Sequence, residues 1–111
     1  MKTARFGLLA EYAAILTYSA KFYCILHHRI RNFGGEIDLI ARRRRNIVFI
    51  EVKARSSDID DRFVSINQQK RIKAAAEIFL KTNPKYHGFN VRFDLVVIRP
   101  FKLPYIIKNA W

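Results

Sequence analysis

The fold is decided by Gly35-Glu36-Ile37-Asp38-Leu39-Ile40 and, after a short basic break, by Phe49-Ile50-Glu51-Val52-Lys53. Apolar and charged residues alternate in both segments, which is typical of β-strands with one apolar and one charged face. The break Arg43-Arg44-Arg45-Asn46 joins them and predicts a hairpin. Three carboxylates fall in this region, although the chain has only nine acidic residues against 21 basic ones.

Pairing the two strands brings opposite and like charges together on one face. A hairpin centred on the Arg44–Arg45 link would place Asp38 opposite Glu51 and Glu36 opposite Lys53. Facing side chains lie about 4.5–5.5 Å apart at Cβ, where two carboxylates repel unless a cation lies between them. Two carboxylates with water suit Mg²⁺ (or Mn²⁺), and a neighbouring lysine would stabilise charge on a phosphoryl group. The alternative is a Glu36–Lys53 ion pair with two solvated acids.

The size and charge of the chain limit the kinds of protein it can be. It has 111 residues and a formal net charge of +12, which predicts one domain over residues 1–111 with a polyanionic partner. As the partner, nucleic acid is favoured over an anionic membrane or an acidic protein. The alternative is that the positive charge serves only to keep the protein soluble. The basic start and the apolar run from Phe6 to Ala20 resemble a signal peptide, but Glu11 inside that run predicts a buried helix of a cytoplasmic protein without a membrane span.

The remaining elements predict an α/β fold with a mixed sheet flanked by helices. The expected elements are a helix over 3–19, strands over 22–30, 36–42 and 47–54, a helix over 67–81, a strand over 91–98 and an edge strand over 105–107. Asn32-Phe33-Gly34-Gly35 predicts a turn, and residues 56–61 a loop. The single cysteine, Cys24, is predicted to be a small core residue.

Three segments together resemble the YraN family of small bacterial proteins in order and spacing. They are Gly35-Glu36-Ile37-Asp38-Leu39-Ile40, Val48-Phe49-Ile50-Glu51-Val52-Lys53-Ala54-Arg55 and Arg92-Phe93-Asp94-Leu95-Val96-Val97. The resemblance covers nearly the whole chain. That family in turn resembles Holliday-junction resolvases and the wider PD-(D/E)XK nuclease superfamily, which implies a restriction-endonuclease-like fold in the order α-β-β-β-α-β-β.

The resemblance also implies an activity and residues that carry it. It implies a Mg²⁺-dependent DNA endonuclease selective for branched DNA, with Asp38 and Glu51 as metal ligands and Lys53 as the catalytic lysine. Glu11 matches the acidic residue that such nucleases place on their first helix near the metal; the alternative is a helix residue that reaches solvent. The analogy with junction resolvases suggests a homodimer. The competing hypothesis is a non-catalytic nucleic-acid-binding module on the same fold.

Basic and polar side chains are expected to hold phosphates on both sides of the scissile bond. The predicted set is Arg29, Arg31, Arg42, Arg43, Arg44, Arg45, Arg55, Gln69, Lys70, Arg71 and Lys73, with Glu36 as an accessory acid. For the run 42–45 a solvated loop is the alternative. DNA is favoured over RNA because no aromatic signature of RNA recognition occurs.

Two positions of this chain differ from the residues that are usual in the YraN family. The YraN family usually has a lysine where this chain has Gln68, and an asparagine where it has Arg29. Neither change touches the carboxylate–lysine set. His27 and His28 are interpreted as strand residues, because no second cluster of histidine or cysteine accompanies them.

Overall fold

A five-stranded mixed sheet with one helix on each face forms the protein. The structure, a computed structural model, describes residues 2–55 and 64–111, and the side chains from residue 7 onward within those ranges. The elements are α1 (Lys2–Ala20), β1 (Cys24–Asn32), β2 (Gly35–Arg43), β3 (Asn46–Ala54), α2 (Ile66–Thr82), a 3₁₀ turn (Pro84–Tyr86), β4 (Asn90–Ile98) and β5 (Tyr105–Ile107). The predicted restriction-endonuclease-like α/β order is confirmed.

The strands lie side by side in chain order. Neighbours are antiparallel except β3 and β4, which are parallel and are joined by the crossover that contains α2. Leu39 pairs with Ile50 and Ile40 with Phe49, so the predicted hairpin register is confirmed. That register places the acidic parts of β2 and β3 side by side.

Each face of the sheet carries its own hydrophobic cluster. Helix α1 buries Ala10, Ala14 and Tyr18, one residue per turn, against one face. Helix α2 buries Ile72, Ala75, Ala76 and Phe79 against the other face, on the side predicted from their spacing. The small alanines let both helices lie close to the strands, so both sheet faces are covered around the acidic segment.

Asp94 joins three parts of the fold. Its fully buried carboxylate accepts hydrogen bonds from the Tyr18 hydroxyl of α1 (2.8 Å), the Arg92 guanidinium of β4 (2.8 and 2.9 Å) and the Asn109 backbone N–H (3.2 Å). Burial, reinforced by Asp94, raises the pKa of Tyr18, so its hydroxyl stays a donor. Asp94, part of the third family segment, therefore has a folding role.

Three other predictions had different outcomes. Cys24 is exposed, so its assignment to the core is wrong; it begins β1, an edge strand, opposite Arg42. The loop predicted over residues 56–61 lies outside the described residues. Within the described ranges, neither helix combines the length and apolarity needed to cross a bilayer.

The turn between β1 and β2 lies directly on α2. The Asn32 side-chain amide donates to the carbonyl of Ala75 (3.0 Å), and its oxygen accepts from the Gly34 N–H (2.9 Å). A Cβ added at Gly34 would lie 2.4 Å from the Ala75 nitrogen and 2.5 Å from the Ala74 carbonyl carbon. Only glycine permits this approach of two backbones.

Gly34→Ala should therefore lower the free energy of unfolding by about 2 kcal/mol or more, because rigid backbone must move to admit the methyl group. Urea denaturation measures the effect. Gly7→Ala is the matched control: its added Cβ meets nothing within 4 Å, and alanine in a helix is favoured over glycine by about 0.5–1 kcal/mol. Equal stabilities of the two variants would contradict the close packing of this turn.

Candidate metal and nucleic-acid site

Two carboxyl groups meet where the pairing of β2 and β3 ends. The ladder runs from the hairpin turn as far as Leu39–Ile50. Beyond it, the backbone N–H of Val52 donates to Oδ2 of Asp38 (2.8 Å). The Asp38 and Glu51 side chains lie close enough for each to perturb the pKa of the other, and Glu51 is buried. The predicted pairing of these two acids is thus present.

The environment of this pair favours a shared proton. Burial first, and then the charge of Asp38, raises the pKa of Glu51 to about 8, although Lys53 and Gln68 oppose the rise. Burial also raises the pKa of Asp38. A proton on Glu51 removes the repulsion between the two carboxyl groups. A divalent cation between them would replace that proton and remove the repulsion.

The donor set fits Mg²⁺ or Mn²⁺. Mg²⁺ keeps several waters and is usually held by one or two carboxylates together with substrate phosphates. In the ranges 2–55 and 64–111, no group of three or more His, Cys, Asp or Glu side chains is arranged to hold a metal ion. Among the described residues, an ion at this place would be held by the two carboxylates of Asp38 and Glu51, which would leave coordination positions for water and substrate.

Glu11 projects from α1 into the same cleft but is already engaged. It is buried, so the alternative of a solvent-reaching helix residue is wrong. Its Oε1 lies 2.6 Å from Nε2 of His28 and 2.7 Å from Nε of Arg29. Its charge is one of the influences that raise the pKa of Asp38, after burial. The metal-binding role of Glu11 stays a prediction.

The backbone is distorted beside this contact. Arg29 has a φ of 61° within β1, in the left-handed region that costs most residues about 1–2 kcal/mol. The β1–β2 ladder pairs His28 with Leu39 and Ile30 with Ile37 but omits the Arg29–Asp38 step between them. Asparagine tolerates this conformation better than arginine does. The charge-assisted bond to Glu11 offsets part of the strain.

A cleft of about 400 Å³ opens beside the carboxyl pair. It is lined by Glu11, Gly35, Glu36, Asp38, Glu51, Val52, Gln68, Arg71 and Ile72. The Gln68 amide donates to Oε2 of Glu51, whereas Gln69 donates to the carbonyl of Val64 (2.7 Å). Gln68 is therefore a site residue that sequence reasoning missed; its departure from the family pattern was the available signal. His28 was missed because its contact with α1 is non-local.

The alternative Glu36–Lys53 ion pair does not form. Glu36 instead binds Arg31, whose Nε lies 2.7 Å from its Oε1. The β2–β3 ladder has ended before this point, so the pairing extrapolated from the hairpin does not reach Glu36. Among the described residues none accepts a hydrogen bond from the Lys53 ammonium. Its charge stabilises the Glu51 carboxylate, which places the lysine near the acids.

The predicted basic residues divide into two groups. Arg29 and Arg31 line a space that also contains Asp38, and Arg71 lines the cleft beside Glu51. The run 42–45 lies at the hairpin turn, where Arg42 is roughly 13 Å and Arg44 roughly 20 Å along the chain from Asp38 at the rise of a strand. There Arg42 and Arg45 lie over the Phe89 ring, and Arg43 over Tyr23.

The other predicted contacts lie on α2 and after β3. Lys70 is exposed in the first turns of α2, and the ammonium of Lys73 lies 5.9 Å from the centre of the Phe93 ring. Arg55 follows β3, with its backbone N–H bonded to the carbonyl of Ile98 (2.9 Å). The structure thus brings Arg29, Arg31 and Arg71 to the acids and leaves the arginine run apart.

Comparison with known sequences places these residues in a family. The pattern of a family described as "Uncharacterised protein family UPF0102" matches residues 10–98. The chain belongs to this family. The resemblance to YraN is thereby confirmed, and the matched UPF0102 region contains Glu11, Asp38, Glu51, Lys53 and Asp94.

Curated relatives carry the same family name. The chain is 45% identical over 107 residues to a UPF0102 protein of Rhodopseudomonas palustris (strain HaA2), covering 95% of this chain and 83% of the relative. It is 41% identical over 112 residues to one of Sinorhizobium medicae, covering 100% and 92%. It is 44% identical over 115 residues to one of Nitrobacter winogradskyi, covering 100% and 97%. The UPF0102 similarity therefore extends over essentially the whole described fold.

Proposed function

We propose that this UPF0102 protein is a Mg²⁺- or Mn²⁺-dependent endonuclease that hydrolyses phosphodiester bonds in DNA. The observation that carries the proposal is the buried contact between Asp38 and Glu51 beside an open cleft. Two acids in contact at the end of a strand ladder destabilise the fold unless a proton or cation lies between them. A binding site is a physical reason to keep such an arrangement.

The residues around the pair supply the other functions that phosphodiester hydrolysis needs. Bound to Asp38 and Glu51, the metal ion would stabilise charge on the phosphoryl group and activate a water molecule. Lys53 stabilises the charge that develops on the phosphate oxygens. Arg29, Arg31 and Arg71 hold the phosphates of the strand. The Gln68 amide orients Glu51.

A second function is favoured by the state of Glu11. The resemblance assigns this residue to the metal, but its carboxylate is bound to His28 and Arg29. A chain in which that ion pair persists would be a nucleic-acid-binding module on a nuclease fold. This candidate requires no metal, and its binding should weaken steeply with salt, as phosphate contacts do.

The nuclease proposal is tested by incubating the protein with supercoiled plasmid, single-stranded DNA and a four-way junction, each with Mg²⁺, Mn²⁺ or EDTA. We expect cleavage of at least one DNA in either metal and none in EDTA. A faster rate on the junction would establish selectivity for branched DNA. Lys53→Gln should slow cleavage about 100-fold, because one charge contact to the transition state is lost, while Mn²⁺ affinity stays within a few-fold.

Glu77→Gln, which changes an exposed acid on α2, is the control and should cleave as the wild type does. No cleavage on any DNA would overturn the nuclease proposal. Salt-sensitive DNA binding in EDTA, together with that absence of cleavage, would establish the binding module instead.

A further inference from the structure

An aromatic ring projects from a rigid support near the carboxyl pair. Phe33 occupies the turn between β1 and β2, and its side chain is as exposed as in an extended peptide, at 105%. Single exposed apolar residues are common and need no explanation. Phe33 differs in its support, because the turn is fixed to α2 by the hydrogen bond from Asn32 to Ala75 and by the close packing of Gly34, and a second Asn32 bond holds the turn itself. The ring is therefore presented to solvent from backbone that cannot easily withdraw it.

A largely apolar groove of about 590 Å³ lies beside this ring, between the turn and α2. Its walls include Phe33, Ile30 and His27 on one side and Ile78 and Phe79 on the other. The volume lies within the range of sites for small ligands, about 300–1,000 Å³. Asn32, Thr82 and Asn83 provide polar atoms at its margin. An open apolar groove with one exposed aromatic ring and a polar margin suits a flat heteroaromatic ring.

The groove adjoins the candidate nuclease site. Ile30 and Arg31 line both the groove and the space that contains Glu11, Arg29 and Asp38. The Arg31 side chain is 79% exposed and is paired with Glu36, so a phosphate that contacts Arg31 would share the guanidinium with that carboxylate or displace it. A strand held by these arginines would have its next bases at the groove. The net charge of +12 also disfavours a second copy of this basic chain as the occupant and favours a polyanion.

We propose that the groove between the β1–β2 turn and α2 binds an unpaired nucleobase that stacks on Phe33. The inference rests on the proposed function in taking nucleic acid as the partner. A base inside a duplex is stacked on both faces, so it cannot enter the groove without being extruded. The protein should therefore prefer strands with unpaired bases. Stacking on a single aromatic ring tolerates all four bases, so the preference depends on strand structure rather than on sequence.

The test compares binding of a blunt DNA duplex with binding of the same duplex carrying a short single-stranded tail. Fluorescence anisotropy is measured in EDTA, so that cleavage does not interfere. We expect the wild type to bind the tailed duplex more tightly. Phe33→Ala should lose at least about fivefold of that preference, the lower end of what one base–aromatic stack contributes. Phe33→Trp should retain the preference, because it keeps an aromatic face.

Phe22→Ala is the matched control, since Phe22 is also highly exposed (86%) but precedes β1 at the end of the sheet away from Asp38. Its preference should equal that of the wild type. A wild type without preference for the tail, or a Phe33→Ala variant that keeps it, would overturn the groove assignment. So would a smaller mass for Phe33→Ala in sedimentation velocity, which would make Phe33 a contact between copies of the chain.

Failure of this inference is separable from failure of the nuclease proposal. If the wild type cleaves DNA with Mn²⁺ while Phe33→Ala keeps the tail preference, only the groove assignment is wrong. If the tail preference depends on Phe33 but neither metal supports cleavage, only the nuclease proposal is wrong.

Discussion

Asp38→Asn should lower Mn²⁺ affinity by at least about 100-fold and DNA cleavage by about 1,000-fold, because the proposed site would lose one of its two charged ligands. The fold should persist. Asparagine keeps an oxygen that can accept the 2.8 Å hydrogen bond from the Val52 N–H, and its neutral amide removes the repulsion with Glu51. Isothermal titration with Mn²⁺ measures the affinity before any substrate is known, and plasmid nicking measures the rate.

The outcome separates a metal site from a simple acid pair. Glu77→Gln should bind Mn²⁺ as the wild type does, because it removes the same kind of charge from an exposed position outside the cleft. Equal Mn²⁺ affinity in Asp38→Asn and the wild type would place the metal elsewhere. If the wild type does not bind Mn²⁺ at millimolar concentration, the acid pair is not a metal site and its two carboxyl groups only share a proton.

Glu51→Gln should make the protein more stable than the wild type at high pH. In the folded chain the pKa of Glu51 is raised from 4.5 to about 8, chiefly by burial. Its carboxyl therefore binds a proton more tightly folded than unfolded. The stability that this proton confers is complete below pH 4.5 and is lost as the pH rises through about 8, since the unfolded chain then holds fewer protons.

Glutamine mimics the protonated acid at every pH. Its oxygen can accept from Gln68 and its amide can donate to Asp38, so the variant should match the wild type at pH 4, below the unfolded pKa of 4.5. At pH 9, without metal, it should be more stable by at least about 2 kcal/mol, or roughly 8 °C in Tm. Thermal denaturation in EDTA across this pH range measures the difference. Mn²⁺ at pH 8 should raise the Tm of the wild type but not that of Glu51→Gln.

Glu77→Gln controls for the removal of an acid as such and should follow the pH dependence of the wild type. A constant difference in Tm between Glu51→Gln and the wild type from pH 4 to pH 9 would contradict the buried, shared-proton state of the pair. The expected result is that Glu51 lowers the stability of the metal-free protein at high pH. Such a cost in stability is common where a residue is kept for function.

Local patterns were sufficient for the elements and for the central pair of acids. Alternation along β2 and β3 is set by the two-residue period of a strand, and a short connection leaves few registers. Asp38 and Glu51 were therefore paired correctly without any knowledge of the rest of the fold. The buried face of α2 followed in the same way from the spacing of Ile72, Ala75, Ala76 and Phe79.

Extrapolation of a local pattern failed where the local geometry ended. The hairpin register places Glu36 opposite Lys53 only if the pairing continues, but the ladder stops at Leu39–Ile50 and Glu36 binds Arg31. The arginine run was expected beside the acids, whereas the length of the strands carries it to the other end of the hairpin.

The sequence by itself determined the strands, their register and the meeting of two acids in a basic chain, because these depend on neighbours along one hairpin. Only the tertiary structure decided what surrounds the acids. The contact of Glu11 with His28 and Arg29, the reach of Gln68 to Glu51, and the exposed Phe33 beside its groove depend on how the two helices pack on the sheet. Those contacts join residues that are distant in the chain, and no local spacing encodes them.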